Sequence, residues 1–138
     1  MALTEGSPVS RTITAIGPKF KITLKAGIVA VKTGDALAYS AGWTRALATV
    51  GTATQTRLIA LQPGEGGDVI EVAQIALIAG FTGGTPGNPL YQAEGTAYGQ
   101  YTETAPSTTG DVNTIIGRII SATEVLATPD SKPDSLAA

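Results

Sequence analysis

Short apolar stretches separated by glycine and proline run through the whole of this 138-residue chain. The clearest is "KFKITLK" (19–25), in which Phe20, Ile22 and Leu24 alternate with lysine and threonine. Because successive side chains of a strand point to opposite faces, this alternation predicts a strand with one buried and one solvated face. The lysines would also protect the edge of a sheet.

Other stretches predict strands of different burial. "RTITAI" (11–16) alternates weakly, and "TRLIALQ" (56–62) is a short apolar run typical of a buried strand. "VIEVAQIALIAGF" (69–81) is long enough for a helix, but its Val and Ile content and its flanking glycines favour strand, in two pieces that bend near Gln74. Gly117, within "TIIGRII", indicates a bulge or the close approach of another backbone.

Turn-forming residues are frequent and evenly spread, with 17 glycines and 8 prolines. Many short strands joined by frequent turns predict an all-β fold with an extended N-terminal arm; the resemblance described below implies that the strands form a small β-barrel. The expected organisation is an arm over residues 1–11, a barrel domain over 12–129 and a flexible, proline-broken tail over 130–138. Deletion of the arm is expected to leave the domain folded.

One turn-strand-turn phrase occurs twice, over residues 34–42 and 87–95. Each copy has a glycine, an Asp or Asn, any residue, a leucine, four more residues and a second glycine. Gly-Asp and Gly-Asn favour a turn with positive φ, after which Leu37 and Leu90 are expected to point inward. The phrase fits an internal duplication, and it equally fits two hairpins that acquired the same turn chemistry independently.

Charge is scarce and dispersed. Charged residues are 14% of the chain, against about 25% in an ordinary domain, and the net charge is −2. The chain has no basic stripe for nucleic acid and no apolar run long enough for a membrane, so neither partner is expected. The N-terminal "MALTEGSPVSR" lacks the apolar centre of a signal peptide. So little charge favours burial of neutral surface against other chains.

Several kinds of chemistry are excluded by composition. The chain has no cysteine and no histidine, so disulfides, thiolate metal sites and histidine acid–base catalysis are impossible. "GEGG" (64–67) and "GGTPG" (83–87) are not followed by Lys-Ser or Lys-Thr, as a phosphate loop would be. We therefore predict no catalytic residue, no cofactor and no metal, and expect the protein not to be an enzyme.

Carboxylate pairs are the remaining route to catalysis, as in glycosidases. The candidates are Glu65, Asp68, Glu71, Glu94 and Glu103. Glu65 and Asp68 share one glycine-rich loop, where solvent would keep both acids ordinary. An enzyme that uses two of these acids stays open as an alternative.

Aromatic residues allow three interpretations. Trp43, Tyr91, Tyr98 and Tyr101 could belong to the core, to a protein interface or to a sugar-stacking platform. The platform requires all four rings to converge on one exposed face.

Four segments carry a resemblance to a known family: "AGIVAVKTGDALAYSAG", "GEGGDVIEVAQIALI", "GNPLYQAEGTAYGQYTET" and "TIIGRIISATEVL". Over residues 25–128, and best in "GNPLY" and "IIGRII", the chain resembles the small capsid decoration (cement) proteins of tailed bacteriophages. The resemblance implies a compact β-barrel or β-tulip-like domain. It also implies a homotrimer that clamps major capsid protein subunits at three-fold or quasi-three-fold sites on an expanded capsid.

The resemblance gives residues to test but no catalytic group. The arm would contact the capsid through Leu3, Val9 and Arg11, and we place a subunit interface at Tyr91, Tyr98 and Tyr101. The protein would be made in the host cytoplasm and end on the outer capsid surface of the virion. The polar end "TPDSKPDSLAA" departs from the β-rich end frequent in the family. The alternative function is a carbohydrate-binding or adhesin-like β-module of a tail or fibre.

Overall fold

The computed structural model describes residues 3–5, 11–51, 54–129 and 133–138. Every extended regular element in these ranges is a β-strand, which confirms the all-β fold class. The strands are β1 (Thr4–Glu5), β2 (Thr12–Ala15), β3 (Lys19–Thr23), β4 (Ala36–Tyr39), β5 (Trp43–Arg45), β6 (Leu58–Ala60), β7 (Val69–Ala73), β8 (Ala76–Ala79), β9 (Phe81–Thr82), β10 (Pro89–Gln92), β11 (Tyr101–Thr102), β12 (Gly117–Ile119) and β13 (Glu124–Ala127).

Two antiparallel sheets form the body of the molecule, and β1 pairs separately with β9. The five-stranded sheet has the order β3-β7-β6-β4-β5, and the six-stranded sheet has the order β11-β10-β12-β13-β8-β2. The five-stranded sheet curls until Leu24, just after β3, pairs with Trp43 at the start of β5. This contact between opposite edges of one sheet makes the fold barrel-like, as predicted.

The two sheets repeat one topology. The order β5-β4-β6-β7-β3 in one matches β11-β10-β12-β13-β8 in the other. We refer to residues 19–73 as the first unit and to residues 76–127 as the second unit. The two glycine phrases open the equivalent strands β4 and β10, with φ of 85° at Gly34 and 89° at Gly87. Because five strands repeat in order, the structure favours internal duplication over two independent hairpins.

Equivalent positions also keep their partners. Leu37 of β4 lies opposite Leu58, and Leu90 of β10 lies opposite Gly117. Both leucines are fully buried, as predicted. A Cβ on Gly117 would lie 2.0 Å from the Leu126 carbonyl oxygen, which confirms the predicted close backbone approach. A leucine equivalent to Leu58 of the first unit could therefore not fit at position 117 of the second unit.

Two apolar clusters fill the molecule. The barrel core lies inside the first unit and consists of Leu24, Val31, Leu37, Leu58, Ala60, Ile70 and Val72. The inter-unit core joins Ala36, Ala38 and Ile59 of the first unit to Leu90, Ile119 and Val125 of the second, with other buried residues. Because side chains alternate along β4 and β6, the first sheet is buried on both faces. The predicted burial of "TRLIALQ" is confirmed.

Two of the predicted stretches can be compared with the structure in detail. The run 69–81 forms β7 and β8, which break at Gln74 and Ile75 and enter different sheets. The run is therefore two strands, and not the single helix that its length would allow. The lysine-rich β3 is an edge strand, as predicted, but its Phe20 is 41% exposed because no strand of the described residues covers it.

The C-terminal residues 133–138 lie against the domain, whereas the sequence indicates a flexible tail. Leu136 forms a bridge with Val112, and the Ala137 N–H donates to the Asp111 carbonyl oxygen at 2.7 Å. These bonds were not predictable from a polar segment broken by prolines. The remaining tail residues, 130–132, lie outside the described residues.

Candidate functional site

The predicted arm is attached to the domain at its first described residues. Leu3 is 7% exposed and belongs to the inter-unit core. The following strand β1 pairs with β9, with Thr4 opposite Thr82. Leu3 could therefore reach a capsid only after leaving its own core, and its capsid contact stays a prediction. Val9, the second predicted contact, lies outside the described residues.

Arg11, the third predicted contact, is 5% exposed and forms a buried ion pair. Its Nη1 donates to Asp35 Oδ1 at 2.7 Å and to the Thr33 carbonyl oxygen at 3.2 Å. The other carboxylate oxygen of Asp35 accepts from the Lys32 N–H at 2.8 Å. Burial raises the pKa of Asp35, and the Lys32 N–H and Arg11 offset that rise only in part. The pair holds β2 against the turn that opens β4.

Tyr101 completes this cluster from β11. Its hydroxyl donates to the Gly34 carbonyl oxygen at 2.6 Å, and its ring meets Phe81 edge-to-face with 6.0 Å between centroids. The Arg11 guanidinium lies 5.7 Å from the centroid of the Tyr101 ring. Tyr101 is 4% exposed, so the single chain already buries the side chain that we expected at a subunit interface. That interface role stays a prediction.

The arm and its anchors therefore bear on the folding of the domain. Deletion of residues 2–11 would remove Leu3 from the inter-unit core and leave Asp35 buried without Arg11. Loss of one partner of a buried ion pair destabilises strongly, because an uncompensated charge remains. The expectation that the domain folds unchanged without its arm conflicts with this burial.

The other aromatic residues lie in separate places. Tyr98 is exposed, and the Arg45 guanidinium lies 5.4 Å from its ring centroid. Tyr91 is half-buried on β10. Trp43 packs against the barrel core and meets Tyr39 edge-to-face at 5.3 Å between centroids. Because Tyr101 is buried, the four rings required by a sugar-stacking platform do not share one exposed face.

The carboxylates occupy turns and strand surfaces. Asp68 accepts the Glu65 N–H at 2.9 Å within their exposed loop, an ordinary turn contact. Glu71 lies opposite Lys21 across β7 and β3. Neither arrangement brings two acids together around a cleft.

One acid pair was not predicted. A hydrogen bond to Asp111 raises the pKa of Glu94, and burial and the like charge of Asp111 raise it further. Asp111 is buried, and its Oδ1 accepts the Val50 N–H at 2.7 Å. Asp111 lies in a glycine-containing loop far from Glu94 in the sequence, so the sequence does not indicate their contact. Within the described residues, no group of three or more acids could hold a metal ion.

Glu103 accepts hydrogen bonds from residues around it. Burial alone would raise its pKa, but hydrogen bonds from Asn88 and Thr85 and from the backbone of Leu3 outweigh that effect, and the pKa is lowered. Asn88 Nδ2 donates to Glu103 at 2.9 Å, and the Thr85 N–H donates at 3.2 Å. Glu103 therefore helps to hold Leu3 in place.

A groove of about 420 Å³ runs between the second unit and the C-terminal residues. It is lined by Asn113, Ile115, Arg118, Pro133, Asp134 and Ser135. Asp134 is held there by Arg57, which donates to its two oxygens at 2.8 and 2.6 Å. The groove was not predictable, because it depends on how the tail docks.

Comparison with known proteins finds no matching family model, no matching curated protein and no matching solved structure. In the ranges that the structure describes, no helix is long and apolar enough to cross a membrane.

Proposed function

We propose that this protein is a structural virion protein that binds the outer surface of an expanded phage capsid, as a homotrimer, and stabilises the shell. The observation that carries the proposal is that this barrel-like chain has few charges and exposes apolar side chains on its surface. Nine large apolar side chains of the described residues are exposed: Ile16, Phe20, Val29, Tyr39, Val50, Val69, Tyr98, Ile120 and Leu136. Burial of such side chains against a shell and sister subunits would stabilise a complex.

The sequence resemblance supports the same proposal. Its two best segments, "GNPLY" and "IIGRII", fall on β10 and β12, which are neighbouring strands with Pro89 opposite Arg118. These two segments therefore lie side by side in the second unit. A rigid scaffold of short strands suits a protein whose task is to hold other subunits in place.

Co-sedimentation with empty phage shells tests the proposal. Expanded shells should bind the protein saturably, at a fixed ratio to the major capsid protein, and unexpanded shells should bind it weakly. Analytical ultracentrifugation of the protein alone and after release from shells would determine whether it is trimeric. Failure of the folded protein to bind either form of shell would contradict the proposal, and glycan binding would be tested next.

Single substitutions make the test specific to the surface. Val29→Asp, Ile120→Asp and Leu136→Asp each place a charge at an exposed apolar position and should leave the fold intact. At least one of them should weaken shell binding, because burial of an unpaired charge is costly. Thr12→Asp, at an exposed polar position, is the matched control.

A further inference from the structure

Among the residues that the structure describes, no strand lies beside the outer edge of β3. β3 pairs with β7 on one side and ends the five-stranded sheet on the other. On that outer side, the first backbone hydrogen bond within the described residues comes after the strand, from the Lys25 N–H to the Trp43 carbonyl oxygen at 2.9 Å. An open strand edge presents unpaired N–H and C=O groups that can accept another strand.

The second unit contains the equivalent strand, which is β8. In the first unit, Val72 of β7 lies opposite Phe20 of β3. In the second, Val125 of β13 lies opposite Ile78 of β8. A glutamate precedes the valine in both cases. Phe20 and Ile78 are therefore equivalent positions in the duplicated topology.

In the described ranges, a strand covers the edge of β8 and none covers the edge of β3. β2 pairs antiparallel with β8 and sets Ile13 opposite Ile78. Ile78 is 0% exposed within the inter-unit core, against which Ile13 also packs, whereas Phe20 is 41% exposed. The molecule thus contains, in its second unit, the arrangement that its first unit lacks.

The side chains of β3 indicate what would cover it. Lys19 and Lys21 are exposed on either side of Phe20 and form no ion pair in the described part of the chain, although Lys21 lies opposite Glu71 of β7. Opposite charges facing each other across two strands stabilise the pair, and like charges destabilise it. An added strand should therefore carry acids opposite the lysines and an apolar side chain opposite Phe20.

Within the two sheets of the described residues, a second copy of this chain does not offer such a strand. β3 against β3 would bring lysines together. The acids that lie within the two sheets, in β7 and β13, are on strands already paired on both sides. The open edge of β2 carries Thr12 and Thr14 but no acid. Charge complementarity therefore favours a different protein as the source of the strand.

We propose that the outer edge of β3 binds an extended segment of a partner protein with the pattern acid–apolar–acid. The segment would run antiparallel to β3, as β2 does to β8, with its carboxylates opposite Lys19 and Lys21 and its apolar side chain opposite Phe20. This inference does not depend on the partner being a capsid shell.

An NMR titration of the full-length, ¹⁵N-labelled protein tests the proposal. The probe is a capped peptide with the sequence Gly-Thr-Glu-Ile-Glu-Thr-Gly, added to about 5 mM, where even a millimolar complex is mostly formed. We expect saturable shifts concentrated on the amides of β3. A peptide with glutamine in place of both glutamates should bind about tenfold more weakly, since two ion pairs are lost.

A charge swap gives the decisive control. The double variant Lys19→Glu/Lys21→Glu should lose the acidic peptide and bind a peptide with lysines at the two glutamate positions. The matched variant Thr12→Glu/Thr14→Glu, on the edge of β2, should bind the acidic peptide like the parent protein. Near-UV circular dichroism establishes that each variant is folded.

Three outcomes would overturn the proposal. The first is the absence of shifts in β3 at the highest peptide concentration. The second is equal binding of the acidic peptide by the Lys19→Glu/Lys21→Glu variant. The third is concentration-dependent association of the protein itself through β3, which would assign the edge to a second copy.

Discussion

The first and second units share one strand order but bury their apolar surfaces in different ways. The first unit curls around its own barrel core, because Leu24 pairs with Trp43 across the open side of the sheet. The second unit encloses no separate core. Its apolar face packs against the outer face of the first, through residues such as Ala36 and Ile59. Duplicated topology therefore does not imply duplicated packing.

The two units also differ in their number of cationic residues and in whether their sheet edge is covered. Six lysines and arginines lie between residues 19 and 73, whereas Arg118 is the single one between residues 76 and 127. The first unit leaves the edge of β3 in solvent, flanked by lysines, and the second has its edge covered by β2. The lysines of β3 thus lie at the edge that stays open, which agrees with the use of lysine against unwanted strand pairing.

The units are also joined by buried polar contacts. Gln92 of the second unit accepts from the N–H and the hydroxyl of Thr56, near the start of β6, at 3.0 and 2.7 Å. Arg11, beside the strand that covers the second unit, bonds to Asp35 in the first. The second unit thus depends on the first for its core and for its edge.

The largest expected effect comes from Arg11→Ala, which breaks one of the buried polar contacts that join the units. It should lower the free energy of unfolding by about 3–5 kcal/mol at about pH 7, because Asp35 stays buried without its partner. The raised pKa of Asp35 means that protonation of this carboxyl group stabilises the folded state. This stabilisation is lost as pH rises through the folded pKa. The deficit of Arg11→Ala should therefore shrink towards about pH 4.

Urea unfolding of the parent and the variant at both pH values measures this effect. Arg118→Ala, at an exposed arginine, is the matched control and should change stability by less than about 0.5 kcal/mol. A deficit for Arg11→Ala that is below 1 kcal/mol, or that grows on acidification, would show that the pair does not join the units.

The second prediction compares Leu37→Ala with Leu90→Ala, at the equivalent positions of the two phrases. Each should lower the free energy of unfolding by about 2–5 kcal/mol, since both side chains are fully buried. Chemical denaturation measures both, and Leu136→Ala serves as an exposed control. A small loss at one position with a large loss at the other would contradict their equivalence.

The third prediction sharpens the contrast between edges. Ile78→Ala should cost about 2–4 kcal/mol, because this side chain is fully buried in the inter-unit core, beside Ile13 of β2. Phe20→Ala should cost less, about 1–2 kcal/mol in the protein alone, because Phe20 is already 41% exposed. Both values come from the same denaturation experiment. Equal costs would mean that the edge of β3 is covered in solution.

The smallest expected effect concerns Glu103, which helps to hold Leu3. Its lowered pKa means that its stabilising contribution is present above the unfolded value and is lost as pH falls through the folded value, below 4.5. Hydrogen exchange of the β1 amides should therefore accelerate at acidic pH, after correction for intrinsic rates. Glu103→Gln should remove this pH dependence, and Glu65→Gln should not.

Much of the local structure was predictable from the sequence. The strand at 56–62, the bend near Gln74 and the close approach at Gly117 each followed from residue patterns within a few positions. The candidate site was less predictable. Nothing near Arg11 or Tyr101 in the sequence indicates that both side chains are buried together, because their contacts are with residues more than twenty positions away.

One weak signal could have located the cluster. Asp35 precedes three apolar residues at the start of a buried strand, and a carboxylate in such a place needs a cationic or hydrogen-bonding partner. The nature of that partner was not evident, since the chain has nine lysines and arginines.

The sequence by itself determined short strands, glycine turns, the repeated phrase and the absence of cysteine and histidine chemistry, because propensity and turn geometry act over a few residues. Tertiary structure decided which strands are neighbours, which unit encloses a core and which edge stays open. Those outcomes depend on contacts between distant segments, such as Leu24 with Trp43 and β2 with β8. Their energies exist only once the chain has brought the segments together.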